Sequence, residues 1–288
     1  MKFTKLQASG NDFVLIDARS QQRDWAALAR SMCHRHLGVG ADGLLLLLDS
    51  KQADFRMRIF NSDSSEAEAC GNGLRCFTKY LFDSGLAPKK ELTVETLAGV
   101  RKAVVLNAAG RSGLIKVSMG KPGLKASDIP LSRERGIAKL LDITPIIDYP
   151  LYVAGSELRL TFVSMGNPHA VCFVNQPVDN FPLLELGPQV EHHPLFPQRA
   201  NFEIVNIIDR ENARARVWER GVGETLACGS GACAIAVAAR LRGYIDDHIE
   251  IALPGGDLGI DWDGQGEVLL SGPAQTVFTG DWPEEDLP

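Results

Sequence analysis

Long apolar runs are missing from this sequence. The two longest, residues 44–48 and 232–239, fall far short of the ~20 residues that a membrane-spanning helix needs. The opening Met1-Lys2-Phe3-Thr4-Lys5-Leu6-Gln7 has no continuous apolar stretch of the secretory kind. A soluble cytoplasmic protein with no membrane partner is expected. Positive charge is also scarce, with 30 Lys and Arg against 36 Asp and Glu and a net charge of −6. Without a basic surface, nucleic acid is not expected as a partner. No C-x-x-C pair occurs among Cys33, Cys70, Cys76, Cys172, Cys228 and Cys233. That argues against a redox dithiol. Cys33-His34-Arg35-His36 lacks a second ligand pair at zinc spacing, so no metal is expected. Nor is disulfide stapling needed in a chain of 288 residues, which is long enough to bury a core by itself. Gly38-Val39-Gly40-Ala41-Asp42-Gly43 fits G-x-G-x-x-G in form. It precedes an apolar run instead of joining a strand to a helix, so it does not read as a dinucleotide site.

What is present is globular in proportion: 45% hydrophobic and 23% charged residues. That excludes disordered and fibrous classes, and the length suits two domains. The most informative feature is a repeat. Glu66-Ala67-Glu68-Ala69-Cys70-Gly71-Asn72-Gly73 parallels Glu224-Thr225-Leu226-Ala227-Cys228-Gly229-Ser230-Gly231. Upstream, Gly10-Asn11 and Gly166-Asn167 each lead into an apolar stretch, 59 and 61 residues before the respective cysteine. Two matches in the same order at nearly equal spacing mark two related halves. Alternation predicts strands at 55–59, 94–97, 101–106, 158–163, 170–174, 203–208 and 213–218, with 94–97 and 101–106 forming a hairpin. Trp25, Leu28, Ala29 and Met32 recur at helical spacing behind an Asp24 cap. After each Cys-Gly-x-Gly the pattern turns helical, over 73–83 and 231–242. The second of these is apolar all round, which predicts burial all round. Each half should therefore wrap strands around one central helix. The expected division is residues 1–120, joined by a final strand over 274–288, and residues 121–273. Arg101-Lys102 and Arg133-Glu134-Arg135 read as solvated charge.

A thiol at a helix start sits at the positive end of the macrodipole, which lowers its pKa from about 8.5. The two glycines bring backbone N–H groups close to a ligand, and those groups suit a carboxylate. A lone cysteine in this position is more often a small core residue; the duplication argues otherwise. Two such motifs could grip one carboxylate and present a sulfur to each face of the neighbouring carbon. One thiolate would remove the α-proton and the other thiol would return one from the opposite side. The helix dipoles would stabilise the developing charge without a pyridoxal cofactor. Cys33, Cys76, Cys172 and Cys233 read as packing residues.

These motifs resemble the diaminopimelate epimerase family of pyridoxal-independent isomerases. The resemblance extends over Ser9-Gly10-Asn11-Asp12-Phe13, Phe60-Asn61-Ser62-Asp63, Gly166-Asn167-Pro168-His169, and the long string from Trp218 to Ala234. It implies an α/β (α+β) fold of two pseudo-symmetric domains, each a strand layer or barrel around a central helix, with the site in the cleft between them. It implies Cys70 and Cys228 as the acid/base pair. His169 would adjust Cys70 and Glu219 would adjust Cys228. Gly71, Asn72, Gly229 and Ser230 would cradle the α-carboxylate, while Asn61, Asn167, Asn201 and Arg220 hold the distal end and Asn11 also touches substrate. Glu219 belongs to the substrate-binding set as well. No cofactor is implied, the partner is a small amino acid, and a homodimer with Phe278 at its interface is suggested. Two departures from the family pattern stand out: Gly43, where some members carry Gln, and Ser64, where Gly is usual. Ala69 and Ala200 sit beside site positions without obvious consequence. A cofactor-independent racemase of another amino acid, such as histidine, is the first alternative, and an amino-acid-binding protein without turnover is the second.

Overall fold

The computed structural model describes residues 1–68, 70–87, 89–132 and 143–283, without the side chain of Ala109. Ala69, the Arg133-Glu134-Arg135 charge cluster and the end of the chain lie outside the described residues. The chain divides into two compact units, one formed by Met1–Ser118 with the residues from Ser271 onward, the other by Met119–Leu270.

In the first unit the strands are β1 (Lys2–Ala8), β2 (Asn11–Asp17), β3 (Gly43–Leu48), β4 (Phe55–Asn61), β5 (Glu66–Ala67), β6 (Glu91–Thr96), β7 (Gly99–Ala109), β8 (Ser112–Ser118) and the returning β17 (Leu269–Asp281). β1 and β2 form a hairpin, β2 runs parallel to β3, β3 antiparallel to β4, and β4 parallel to β6. The hairpin of β6 and β7 continues into β8. β17 pairs with both β8 and β1, closing the ring into a barrel with no free edge. Inside lies α2 (Gly71–Asp83), packed against β1, β2, β3, β4, β7 and β8. Outside lies α1 (Trp25–Cys33), capped by the Asp24 side chain as its pattern predicts. The leucines of β3 are buried on both faces: Leu44 and Leu46 meet Trp25, Leu28 and Met32 of α1, while Leu45 points at Gly73 of α2.

The second unit holds β9 (Tyr149–Val153), β10 (Ser156–Ser164), β11 (Pro168–Phe173), β12 (Asn201–Ile207), β13 (Asn212–Glu219), β14 (Gly223–Thr225), β15 (His248–Leu253) and β16 (Gly256–Asp261). Its pairings repeat those of the first unit. β10 and β11 form an antiparallel pair, β11 is parallel to β12, β12 antiparallel to β13, β13 parallel to β15, and β15 antiparallel to β16. The curled sheet packs around α4 (Gly229–Leu241), while α3 (Leu183–Glu191) covers the outside. The repeat read from two short motifs is thus a repeat of whole topology.

The two central helices solve burial differently. α4 is alanine-rich and buried on every side, as its composition predicts. α2 instead buries Arg75, Thr78 and Lys79 completely, and each has polar partners. Arg75 donates to the Pro273 carbonyl and to Ser9 Oγ; Lys79 donates to Asp83 and the Gly110 carbonyl; Thr78 donates to the Leu74 carbonyl. No helix among the described residues is long and apolar enough to cross a membrane.

The two departures from the family pattern acquire a physical reading. A side chain at Gly43 would press its Cβ to 3.0 Å from the Phe60 carbonyl oxygen, so the strands would have to part for a larger residue. Ser64 has φ of 77°, a left-handed conformation that costs an L-residue about 1–2 kcal/mol. Glycine avoids that strain but loses about 0.5–1 kcal/mol more chain entropy. Ser64→Gly should therefore raise stability by roughly 0.5–1 kcal/mol, with the melting temperature about 1–3 °C higher. A melting temperature that is unchanged or lower by calorimetry would show that the Arg30 Nε to Ser64 Oγ hydrogen bond of 3.2 Å outweighs the strain.

Candidate active site

Both central helices begin two residues earlier than the apolar pattern indicates, at Gly71 and Gly229. Cys70 and Cys228 are consequently the N-caps themselves, a position that usually carries an oxygen. Cys70 Sγ accepts from the Gly73 N–H at 3.4 Å, and Cys228 Sγ accepts from the Gly231 N–H at 3.4 Å. The cap carbonyls accept from Leu74 and Ala232, at 2.8 and 2.9 Å. The N–H groups of Gly71, Asn72, Gly229 and Ser230 precede these bonds and have no helical carbonyl behind them. They lie at the positive end of each helix, where a carboxylate is favoured.

In the first half, Asn11 opens β2 and reaches the cap. Its Oδ1 accepts from Asn72 Nδ2 at 3.3 Å and from the Cys70 thiol at 3.9 Å, while its Nδ2 is held by Asp42 at 2.6 Å. Asn72 is buried and Cys70 half-buried. Asn61 ends β4, is exposed, and donates to Ser65 Oγ at 2.9 Å.

The second half repeats the plan with different chemistry. Asn167 stands immediately before β11, as Asn11 stands at the start of β2. Its Nδ2 donates to Ser230 Oγ at 3.5 Å, and Ser230 Oγ lies 3.4 Å from Cys228 Sγ. His169 is completely buried on β11, with Nε2 3.0 Å from Asn167 Oδ1 and Nδ1 2.6 Å from Glu203 Oε1. Both ring nitrogens are thus engaged within their own half. Glu219 ends β13 and accepts from Thr225 Oγ1 at 2.5 Å. The next residue, Arg220, is held through its backbone: its N–H donates to Asn201 Oδ1 at 2.9 Å, and its guanidinium to the Gln198 carbonyl at 3.1 Å. Asn201 Nδ2 also ties down the Pro168 carbonyl at 2.9 Å, so its amide is committed at both ends. Buried Glu191 steadies the same turn, accepting from the Gly221 N–H and the Trp218 indole at 2.8 Å each.

The electrostatics of Cys228 correct one expectation from the sequence. A helix start should lower a thiol pKa, but here burial raises it well above its ordinary value, and the nearby Glu219 carboxyl raises it further. Bonds from Ser230 and the Gly231 N–H pull the other way without prevailing. In a desolvated site the cost of ionising sulfur exceeds what a helix end returns. Burial likewise pushes Cys172 to about 11 and Cys33 to about 12, and all four cysteines read as packing residues are buried.

Glu203 was missed by the sequence reading, which took it as the first residue of an ordinary strand. A carboxyl at an inward position of an apolar strand was the available signal, since such a group is rarely buried without a partner.

A buried thiol with an acidic neighbour should ionise late. Iodoacetamide labelling of Cys228 in the native protein should still be accelerating at about pH 9, where an ordinary thiol near 8.5 is already mostly ionised. Glu219→Gln removes a negative neighbour and should raise the labelling rate at pH 7.5 several-fold. Peptide mass spectrometry reads both, and a wild-type rate that levels off by pH 8 would contradict the assignment.

Comparison with known proteins identifies the family and the fold. Residues 3–125 and 161–277 match the sequence profile of the diaminopimelate epimerase family. The chain is 48% identical to the diaminopimelate epimerase of Moorella thermoacetica over 98% of its own length and 99% of that protein's. It is 46% identical to the diaminopimelate epimerase of Acetivibrio thermocellus over 98% of both chains. In fold it is similar to a PhzF-family phenazine biosynthesis protein of Bacillus anthracis, with TM-score 0.69 at 19% identity, covering 97% of this chain and 98% of that one. A hydroxyproline epimerase of Agrobacterium vitis gives TM-score 0.66 at 17% identity, covering 97% and 91%. With a profile match in both halves and relatives near half identity over almost its whole length, this chain belongs to the diaminopimelate epimerase family.

Proposed function

We propose that this chain interconverts LL- and meso-2,6-diaminopimelate by moving a proton between two thiols. The observation that carries the reading is the cysteine N-cap, built twice on the same topology, each at the positive end of its helix beside the first N–H groups. The α-carboxylate binds at those N–H groups of Gly71, Asn72, Gly229 and Ser230. In one direction the Cys70 thiolate takes the α-proton: the C–H bond breaks, an S–H bond forms, and the charge passes onto the carboxylate. The Cys228 thiol then gives its proton to the opposite face of the carbon and becomes the thiolate. Its raised pKa supports Cys228 as the resting acid. Charge on the substrate is greatest in the transition state, so the fixed dipoles favour that state over the ground state. In the reverse direction the Cys228 thiolate takes the α-proton and the Cys70 thiol gives its proton to the opposite face. Each turnover thus sets the pair for the other direction, and Glu219 adjusts how readily Cys228 ionises.

Arg220 with Asn61 and Asn167 receives the distal zwitterionic end, and Asn201 serves by holding the Arg220 backbone. This set favours diaminopimelate over an amino acid such as histidine, which has one zwitterionic end. The chemistry assigned to the thiols needs no cofactor. The same reading places the protein in the cytoplasm, in lysine and peptidoglycan precursor synthesis. It makes the protein a homodimer through the barrel face carrying Phe278, which is 46% exposed and packs edge-on against Phe3 at 6.0 Å.

Cys70→Ala and Cys228→Ala each remove the proton carrier for one face. General acid or base groups contribute about 10²–10⁴-fold, so each variant should fall below about a hundredth of wild-type turnover in a coupled assay without added cofactor. Either variant retaining a tenth of the activity would remove the basis for a two-thiol mechanism.

Arg220→Ala should mainly raise KM for diaminopimelate, because losing one partner of a charge-assisted clamp costs roughly 2–5 kcal/mol. Some loss of kcat is expected too, since remote binding orients the reacting carbon. Unchanged KM and kcat would instead favour a substrate with a single zwitterionic end.

A further inference from the structure

The internal repeat allows each half to be checked against the other, position by position. In the first half, Phe13 on β2 is paired with Gly43, the first residue of β3, and Leu45 lies two residues further along. In the second half, His169 on β11 is paired with Asn201, the first residue of β12, and Glu203 lies two residues further along. His169 therefore occupies the place of Phe13, and Glu203 that of Leu45. The central helices agree. The nearest side-chain atom to a Cβ built on Gly73 is Leu45 Cδ2 at 3.2 Å, and to one built on Gly231 it is Glu203 Oε1 at 3.1 Å. The fold is satisfied by an apolar pair at this point, as the first half demonstrates. In the second half it buries a carboxyl and an imidazole, both fully excluded from solvent. Burying such groups is unfavourable even when they are paired, so packing does not explain their presence.

The contacts give a reason. A continuous line of polar atoms runs from Glu203 Oε1 to His169 Nδ1 at 2.6 Å and from His169 Nε2 to Asn167 Oδ1 at 3.0 Å. It continues from Asn167 Nδ2 to Ser230 Oγ at 3.5 Å and from Ser230 Oγ to Cys228 Sγ at 3.4 Å. Nε2 faces an amide oxygen, which can only accept, so Nε2 must carry a proton. Nδ1 then either carries a second proton toward a carboxylate or accepts one from a protonated Glu203. Glu203 Oε2 is buried without a hydrogen bond, a position costlier for a charged oxygen than for a neutral one. Burial raises the Glu203 pKa, against the opposing influence of His169. The neutral arrangement follows: Glu203 O–H donates to Nδ1, and Nε2–H donates to Asn167. Glu219 is the other acidic group felt by both Glu203 and Cys228.

We infer that Glu203 is a positioning residue for the proposed epimerisation. By holding His169 as the Nε2–H tautomer, it fixes the Asn167 amide and the Ser230 hydroxyl that orient the Cys228 thiol. Which ring nitrogen bears the proton is set by the bond the other one makes. The inference rests on Cys228 being one of the two proton carriers.

The test separates packing from hydrogen bonding. Glu203→Leu installs the side chain found at the matching position of the first half and leaves Nδ1 without a donor. It should lower kcat about tenfold or more, with KM within about twofold. Glu203→Gln can donate an amide hydrogen to Nδ1 and should recover kcat to within about threefold of wild type. Nitrogen-15 NMR of the histidine rings should find a proton on His169 Nε2 throughout about pH 6–9, in the wild type and in Glu203→Gln. Three results would overturn the inference: Glu203→Leu at wild-type kcat, Glu203→Gln as impaired as Glu203→Leu, or a wild-type His169 with bare Nε2. If Glu203→Leu does not fold, the wild-type and Glu203→Gln spectra still decide. An active Cys228→Ala variant would remove the two-thiol reading while leaving the His169 tautomer as measured, so the two failures are distinguishable.

Discussion

A sulfur atom in the N-cap position is the constraint on which the rest of this structure depends. A cap side chain must lie within reach of the third N–H of its helix. Cys70 and Cys228 meet that requirement with their Sγ atoms. The thiol is thereby fixed to a helix end instead of standing on a mobile loop. The helix end is fixed in turn, because each helix is surrounded by strands of its own half. Glycine at the third helical position follows from the same geometry. At Gly231 an added Cβ would come to 3.1 Å from Glu203 and 3.4 Å from the capping sulfur. The motif Cys-Gly-x-Gly is thus a packing solution as well as a chemical one.

Much of this was legible in the sequence. Asp24 as a cap, α1, the β6–β7 hairpin and the all-round burial of α4 followed from local periodicity and composition, which report burial directly. The repeat announced two halves because its motifs combine an unusual residue with fixed spacing. The pairing of β4 with β6, or of β17 with β1 and β8, was not legible, since it joins strands far apart in the chain. The starts of α2 and α4 were placed two residues late because glycine is a poor helix former and reads as loop. In these helices it occupies the first turn, where the backbone is already constrained by the cap.

The buried polar groups were the least legible part. Arg75 and Lys79 of α2 carry no local sequence signal of burial, yet both are fully enclosed. Their partners are backbone carbonyls, Ser9 and Asp83, supplied partly by segments remote in sequence. The ionisation of Cys228 was misread for a related reason. The helix dipole is visible in a sequence once the cap is recognised, whereas desolvation and the approach of Glu219 are properties of the folded state. Where burial and a dipole compete over one thiol, local pattern shows only one of the competitors.

Duplication accounts for the architecture, and divergence accounts for the proposed chemistry. A two-thiol inversion requires one sulfur ionised and the other protonated at the start of each turnover. Two identical halves would provide no bias between those states. Around Cys70 the hydrogen bonds include those of the Asn11 amide, with Asn72 on the same oxygen. Around Cys228 the equivalent positions carry Asn167 and Ser230, backed by His169 and Glu203 where the first half has Phe13 and Leu45. The end of β4 carries neutral Asn61, and the end of β13 carries Glu219. Three of these differences, at His169, Glu203 and Glu219, put an acidic or basic group in the second half where the first is neutral or apolar. Burial, with the Glu219 carboxyl nearby, holds the proton on the Cys228 sulfur. The asymmetry therefore lies in side chains placed on matching backbones, and under the proposed mechanism it favours Cys228 as the thiol that keeps its proton at rest.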